Sequence, residues 1–463
     1  MSFIGIDLGT SFIKGAVLNL ETHSLEHIRR IPFPGPVADR PALAYEVDPQ
    51  QIINTFSAFL QEMLAHAPDC RGLVLCTQMH GLVLTRPDGQ ARSNFISWQD
   101  ERVLTSQPGQ KHSYFDTICQ RLSEAEKRQL GRELKPSLPL GYLFWLAENG
   151  QLPDEAVVPA SLPDFLLAQL GQTRPTIELT NAAAHGALNL ETLDWHQGVI
   201  DKLALSHLPW PEIVPFDQPA YHLSFQGRTI PCYPAIGDHQ CAMLGAFLQL
   251  GELSLNVATA SQVTSLTPSL RLGEYQTRPF FAGHFMNTIA RIPAGRSLNV
   301  LVNLLTELAT AQQLKLEDPW AYIVEAVEAV GQTSLQVDLS FFTTSVGDRG
   351  AIANIREDNL TVGHLFKAAF ESMAANYLLC ARRLSPQQTP AQTWRNLVFS
   401  GGLLQKIEPL RDIVCATLGL DFRLTASEED TLLGLLALAL TVEGRAASID
   451  EAIAILRTSF TKE

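Results

Sequence analysis

The stretch Ile4-Gly-Ile-Asp7-Leu-Gly9-Thr10-Ser11-Phe-Ile-Lys14-Gly15-Ala-Val-Leu18 decides how the rest of the 463-residue chain is read. Apolar residues dominate Phe3 to Leu8 and again Phe12 to Leu20, which predicts two short strands joined by a tight polar turn. Gly9 lets that turn be sharp and lets backbone approach a ligand. The N–H groups and the hydroxyls of Thr10 and Ser11 suit an anion such as phosphate, and Lys14 is read with the same element. Asp7 repels phosphate, so its place is explained if it holds a hydrated Mg²⁺ that bridges phosphates. The competing reading is a surface hairpin with a polar tip.

The totals narrow the field. The length points to two or three domains. Hydrophobic residues make up 46% and charged residues 18%, enough apolar content for a large core and against disorder. A net charge of −14 argues against non-specific nucleic-acid binding, although a local cluster can still hold an anion. The seven cysteines are scattered, odd in number and without a C-x-x-C pair. They predict reduced thiols in a cytoplasmic protein rather than a zinc site or disulfide framework. No signal peptide is expected ahead of the first strand. The longest apolar run, Leu432 to Val442, is shorter than the ~20 residues of a membrane span.

Further along, Leu25 to Phe33 predicts a third strand, and Asp48-Pro49 starts a helix whose buried face is Ile52, Phe56, Phe59, Leu60 and Met63. Leu73 to Cys76 reads as a central strand of a mostly parallel sheet. It leads into Gln78-Met79-His80, where an α/β sheet gathers ligands. Trp98-Gln-Asp100-Glu-Arg102 is a second polar cluster at a strand end. Asp100 and Arg102 are read either as substrate contacts or as a local ion pair, His80 as a contact or a satisfied structural histidine, and Trp98 as core. Leu138 to Asn149 is read as an amphipathic helix. In Ile236-Gly-Asp238-His-Gln240, Asp238 falls near a helix N-terminus, where the dipole should keep it ionised near neutral pH; a plain N-cap is the alternative. Glu252 to Val257, Ala258-Thr259-Ala260-Ser261 and Gln262 to Leu266 repeat the opening pattern of strand, hydroxyl turn and strand. The repeat predicts two related α/β halves, 1–246 and 247–463, with a site in the cleft between them. Near the end, Ser400-Gly401-Gly402 follows a strand and precedes a helix, allowing backbone to approach a ring or phosphate.

Taken together, these segments resemble the FGGY family of carbohydrate kinases, in the actin/hexokinase superfamily. The resemblance spans nearly the whole chain. Besides the motifs above it rests on Pro139 to Asn149, with Tyr142 where a lysine is usual, and on Gly350 to Glu371, with Asn354 where a glycine is usual. Asn181-Ala-Ala, Leu255 to Thr264 and Arg349 to Ile355 are most similar to its sedoheptulokinase branch. The resemblance implies two actin-like (ribonuclease H-like) domains of α/β class with an inter-domain catalytic cleft. It implies ATP and Mg²⁺, and transfer of the γ-phosphate to a terminal hydroxyl of a ketose, with sedoheptulose giving sedoheptulose 7-phosphate. Xylulose, another pentulose or glycerol is the alternative acceptor.

Carried over by position, Asp238 matches the catalytic base. Asp7, Gly9, Thr10, Ser11 and Lys14 match the first phosphate and metal element, and Thr259 the second. Gly401 and Gly402 match the adenosine turn. Gln78, Met79 and His80, with Asp100, Arg102, Asn181 and Asp238 itself, are the expected sugar contacts. The second hairpin lacks the usual glycine and serine, having Ala258 and Ala260, which predicts a restricted turn and weaker ATP binding. The expected partners are a small-molecule sugar and ATP, with no nucleic acid and no membrane, and a homodimer is the expected assembly. A sugar-independent ATPase of the superfamily and a catalytically inactive sugar sensor are the readings from other classes.

Overall fold

The computed structural model describes residues 1–225 and 227–460. Its frame is a pair of mixed β-sheets built on one plan. In the first, β1 (Ser2–Leu8) runs antiparallel to β2 (Phe12–Asn19), which runs antiparallel to β3 (Ser24–Pro32). On its other side β1 pairs in parallel with β4 (Cys70–Thr77). The hairpin of β5 (Tyr221–Phe225) and β6 (Arg228–Cys232) extends the sheet beyond β4, and the short β7 (Ile236–Gly237) also pairs with β4 in parallel. The second sheet repeats this order. There β8 (Glu252–Val257) is antiparallel to β9 (Ser261–Thr267) and parallel to β12 (Asn396–Ser400). Beyond β9 lie β11 (Phe285–Ile292) and β10 (Gln276–Pro279), and beyond β12 lies β13 (Phe422–Leu424). The repeat expected from the two hydroxyl hairpins is therefore a repeat of topology. The first sheet is mixed rather than mostly parallel, because only the pairings made by β4 are parallel.

Apolar helices cover the outer faces. In the first half α1 (Pro49–Ala65), capped by the Asp48 carboxylate, buries Ile52, Phe56, Phe59 and Met63. It shares this core with α3 (Leu162–Gly171). In the second, α6 (Val362–Leu384) and α7 (Glu408–Leu418) back the sheet. Residues drawn from 82–157 and 187–208 build an added lobe around α2 (Pro139–Glu148). That helix is buried on nearly every side, Leu140 through Phe144 included, so it is a core helix and not the amphipathic one expected. Burial all round leaves no polar stripe to be read as a periodicity.

Between the sheets lies the layer that positions the site. The short α4 (Asp238–Gly245) crosses α8 (Asp430–Val442), and these two helices with α9 (Ile449–Phe460) share one apolar core with residues of both sheets. Phe3, Leu18 and Cys76 enter it from the first sheet, and Leu266, Met286 and Val398 from the second. The crossing is tight because glycine meets backbone on both sides. A Cβ on Gly245 would collide with the carbonyl oxygen of Asp430, and one on Gly434 with that of Cys241.

Backbone has no rotamer with which to give way. Gly434→Ala should therefore cost about 1–3 kcal/mol, as overpacking of a close-packed core does, and should lower the midpoint of denaturant unfolding. Gly331→Ala, at a site with open space around it and no positive φ, is the control for the backbone effect of the added methyl group.

Candidate active site

The β1–β2 turn is closed by the Gly9 N–H donating to the Phe12 carbonyl at 3.0 Å. Asp7 sits at the end of β1, opposite Cys76 and Lys14 in the sheet register. Its Oδ2 accepts a hydrogen bond from the Thr431 hydroxyl of α8 at 2.8 Å. Its Oδ1 is buried without a partner. Burial raises the Asp7 pKa, opposed by the Thr431 hydrogen bond and by Lys14. Lys14 pairs with Glu429 at 2.9 Å, so the first hairpin is tied to the residues entering α8. Ser11 is exposed at the tip.

Thr10 is held differently from a free phosphate ligand. Its hydroxyl donates to Gln78 Oε1 at 3.0 Å and accepts from Trp98 Nε1 at 2.8 Å. Gln78 is itself fixed to the hairpin, its backbone N–H donating to the Leu8 carbonyl. The β1–β2 turn and the loop after β4 are thus one unit. Trp98, expected in the core, is exposed and lines the cleft.

Asp238 is the first residue of α4 and accepts the His239 N–H at 2.7 Å. It was expected to be ionised by its place at a helix start. Burial outweighs that effect and, with the negative neighbour Asp7, pushes its pKa up to about 7. Asp430, one turn of chain before Gly434, is pushed to about 7 by burial and Glu429, and its Oδ1 is buried without a partner.

A cavity of about 450 Å³ opens in front of Asp238. The first half contributes Thr10, Gln78, Met79, His80, Trp98 and Lys135. The facing strands of the second sheet contribute Gln262, Gln276, Arg278 and Thr288. His80 has a left-handed φ of 73° and is followed by Gly81 at 82°, where a Cβ would strike Phe95 and the Ile96 carbonyl. Burial and Lys135 lower the pKa of His80 to about 3, and burial and Arg278 lower that of His239 to about 3. Both rings are neutral at physiological pH.

Three of the expected sugar contacts lie elsewhere or face inward. Asp100 is fully buried and takes Arg102 Nε at 2.8 Å and Nη2 at 2.7 Å, together with the Tyr45 N–H. Arg102 also pairs with Glu46 at 2.6 Å. This is a buried ion-pair network supporting the lobe, and neither residue lines the Asp238 cavity. Asn181 is also buried and donates to the Ala235 carbonyl at 2.6 Å, bracing the approach to β7. In each case hydrogen-bonding capacity is taken up by the fold.

The second hairpin faces a separate cavity of about 750 Å³, lined by Ala258, Thr259, Gly295, Asn299, Trp320 and Gly402 among others. Arg296 lines it too, with its guanidinium 4.3 Å from the ring centroid of Phe342. The two alanines do not strain the turn, since neither has a positive φ. The turn closes through the Ala258 N–H and the Ala260 carbonyl, and its tip accepts the Gly295 and Arg296 N–H groups of the helix Gly295–Ala311. Gly401 has φ 81°, and a Cβ there would strike the Val257 backbone, whereas the space around Gly402 is open. The first glycine makes the turn and the second leaves room beside it.

Lys135, Glu133, Arg278, Gln262, Gln276 and Thr431 were not singled out from the sequence as site residues. Lys135 sits in an ordinary charged stretch, and the strand carrying Gln276 and Arg278 has no motif. Thr431 directly follows a run of three acids, Glu428-Glu429-Asp430, the one local signal that marks it. Among the described residues no group of three or more His, Cys, Asp or Glu is arranged to hold a metal. The unpartnered Asp7 oxygen suits a cation that keeps most of its own water, as Mg²⁺ does.

Residues 2–245 match the family model described as FGGY family of carbohydrate kinases, N-terminal domain. The chain is 22% identical over 457 residues to sedoheptulokinase of Mus musculus, covering 89% of this chain and 91% of that one. It is 22% identical over 426 residues to the human sedoheptulokinase, covering 81% and 84%. Among solved structures, the xylulose kinase of Rhodospirillum rubrum superposes with a TM-score of 0.83 at 16% identity, covering 100% of this chain and 97% of that one. The Plasmodium falciparum glycerol kinase with ADP gives 0.80 at 16% identity, covering 98% and 92%. With its paired actin-like sheets and its match over more than half of its length, the chain belongs to the FGGY family of carbohydrate kinases and is a phosphotransferase with an alcohol group as acceptor.

Proposed function

We propose that this kinase transfers the γ-phosphate of ATP to the terminal hydroxyl of a ketose, with sedoheptulose as the first acceptor to test. The observation that carries the reading is Asp238. It is a carboxylate poised near neutral pH, on the wall of a polar cavity between the two halves, close enough to Asp7 for that acid to help raise its pKa. The resemblance in sequence to sedoheptulokinases along most of both chains supports the choice of acceptor.

In this reading residues 1–246 carry the acceptor site and the catalytic carboxylate. Residues 247–463 carry most of the nucleotide site. The larger cavity receives the adenosine between Gly402 and Trp320, with the Thr259 hydroxyl near the phosphates. The sugar lies in the smaller cavity, contacted by Gln78, Met79, His80 and Trp98. Asp238 accepts the proton of the attacking hydroxyl, and Lys14 and the turn Gly9 to Ser11 oppose the charge on the phosphates. Asp7, through its unpartnered oxygen, would hold Mg²⁺ by way of water, and that cation would neutralise phosphate charge. The seven free thiols support a reducing, cytoplasmic setting. The exposed stripe Val300, Leu304 and Leu308 supports pairing of two copies.

Asp238→Asn should still bind sugar and nucleotide but lose about 10²–10⁴-fold in transfer; near wild-type formation of sugar phosphate would overturn the assignment. A base must be ionised to act, and the Asp238 carboxyl is protonated below its raised pKa. The kcat/KM for the sugar should therefore rise with pH through about 7, and the Asn variant should lack this limb. Gly401→Ala forces a side chain into a left-handed position against Val257. Strain of about 1–3 kcal/mol at that turn should raise the KM for ATP roughly 5- to 100-fold while the KM for the sugar changes little.

A further inference from the structure

The end of the sugar cavity away from Asp7 carries a charge arrangement that proton transfer does not use. Arg278, from the second half, donates Nε and Nη2 to the buried Glu133 Oε1 of the first half at 2.9 and 2.8 Å. Its Nη1 lies against His239 Nδ1 at 3.2 Å and Met79 Sδ at 3.4 Å. All three nitrogens of that guanidinium therefore have a partner within the protein. Lys135 is different. Its only ion-pair partner among the described residues is Glu133 Oε2 at 3.4 Å, and an ammonium has three donors. Lys135 and Arg278 together outweigh Glu133 at this end of the cavity, where the other acid in the lining is Asp238. His80 adds a second pointer. Its Nδ1 is bound to the Ser137 hydroxyl at 3.0 Å, while Nε2 is buried with no partner. Both free groups line the same cavity as Asp238.

Resting on the sugar-kinase reading above, we propose that Lys135 is the specificity-determining residue of this site and that, with His80, it recognises an electron-rich oxygen at the acceptor's non-reacting end. That oxygen is a ketose carbonyl or an aldonate carboxylate, so alditols with only hydroxyls there are poor acceptors. Glu133 and Arg278 are positioning residues that hold the ammonium across the cleft. A hydroxyl offers a weaker acceptor to a cation than a carbonyl in a polarising site or a carboxylate does, and charge-assisted hydrogen bonds are about twice as strong as neutral ones.

The test compares D-xylulose, gluconate and xylitol as acceptors, with sedoheptulose beside its reduced alditol, read by ADP release. The wild type should prefer the carbonyl- or carboxylate-bearing members by at least 10-fold in kcat/KM. Whether ketose or aldonate leads identifies the source of the oxygen. Lys135→Met should lower kcat/KM for the preferred acceptors 10- to 100-fold, chiefly through KM, and for the alditols much less, so that the preference collapses; Lys135→Arg should restore it. Equal losses on all acceptors, or an unchanged preference in Lys135→Met, would overturn the proposal while leaving the kinase reading intact. ADP release stimulated by none of the acceptors would instead overturn the kinase reading and this proposal with it.

Discussion

The crossing of the helices Asp238–Gly245 and Asp430–Val442 is the constraint on which the rest of the structure depends. Two glycines let their backbones touch, and the pair is clamped between two sheets in a single apolar core. One consequence is mechanical, since Asp238 begins one of these helices. Another is electrostatic. Thr431 at the start of the other helix reaches Asp7, so the first hairpin, Asp238 and the C-terminal segment are held in one register. A close-packed core transmits small displacements rather than absorbing them. The site is therefore only as well placed as this contact.

Charge is distributed unevenly along the cleft that results. At one end burial lifts the pKa of Asp7, Asp238 and Asp430, each the neighbour of another acid. An assembly of carboxylates that resists ionisation is costly in an empty cleft and is relieved by cations near phosphate. At the other end the balance reverses. Burial would raise Glu133, yet Arg278 and Lys135 hold it down at about 2. The two imidazoles between stay neutral because burial and these cations both oppose a proton. An acceptor lying across this gradient would meet a proton acceptor at one end and a hydrogen-bond donor at the other. The link from Glu133 to Arg278 also joins the two halves, so the far end of the cavity takes part in how they sit together.

Much of the frame was legible because it rests on local patterns. Apolar alternation around Asp7 and again around Thr259 marked the two hairpins, and Gly237-Asp238 marked a turn opening a helix. Of the two readings left open for Asp100 and Arg102 the structure has the ion pair, and the reason the sequence could not decide also covers Asn181. Asp100, Arg102 and Asn181 are polar residues at the ends of strands or helices, where a site is expected. From the sequence alone a carboxylate facing a cleft looks the same as one facing an arginine in the core. Trp98 was read as core, but its indole N–H donates to the Thr10 hydroxyl, which holds the ring at the cleft wall. The alanines of the second hairpin seemed restrictive, yet its turn never asks for a positive φ.

The sequence by itself determined the two-fold plan of strand, polar turn and strand, the family, and the identity of the carboxylate at the start of the helix. These depend on spacing within a few residues, which the chain carries wherever it goes. Only the tertiary structure decided which side chains share the cleft. It brought Glu133 against Arg278, Lys14 against Glu429 and Asp7 against Thr431, across separations of 145, 415 and 424 residues. It also set the protonation of Asp238, because a helix dipole is local but desolvation belongs to everything packed around the carboxylate.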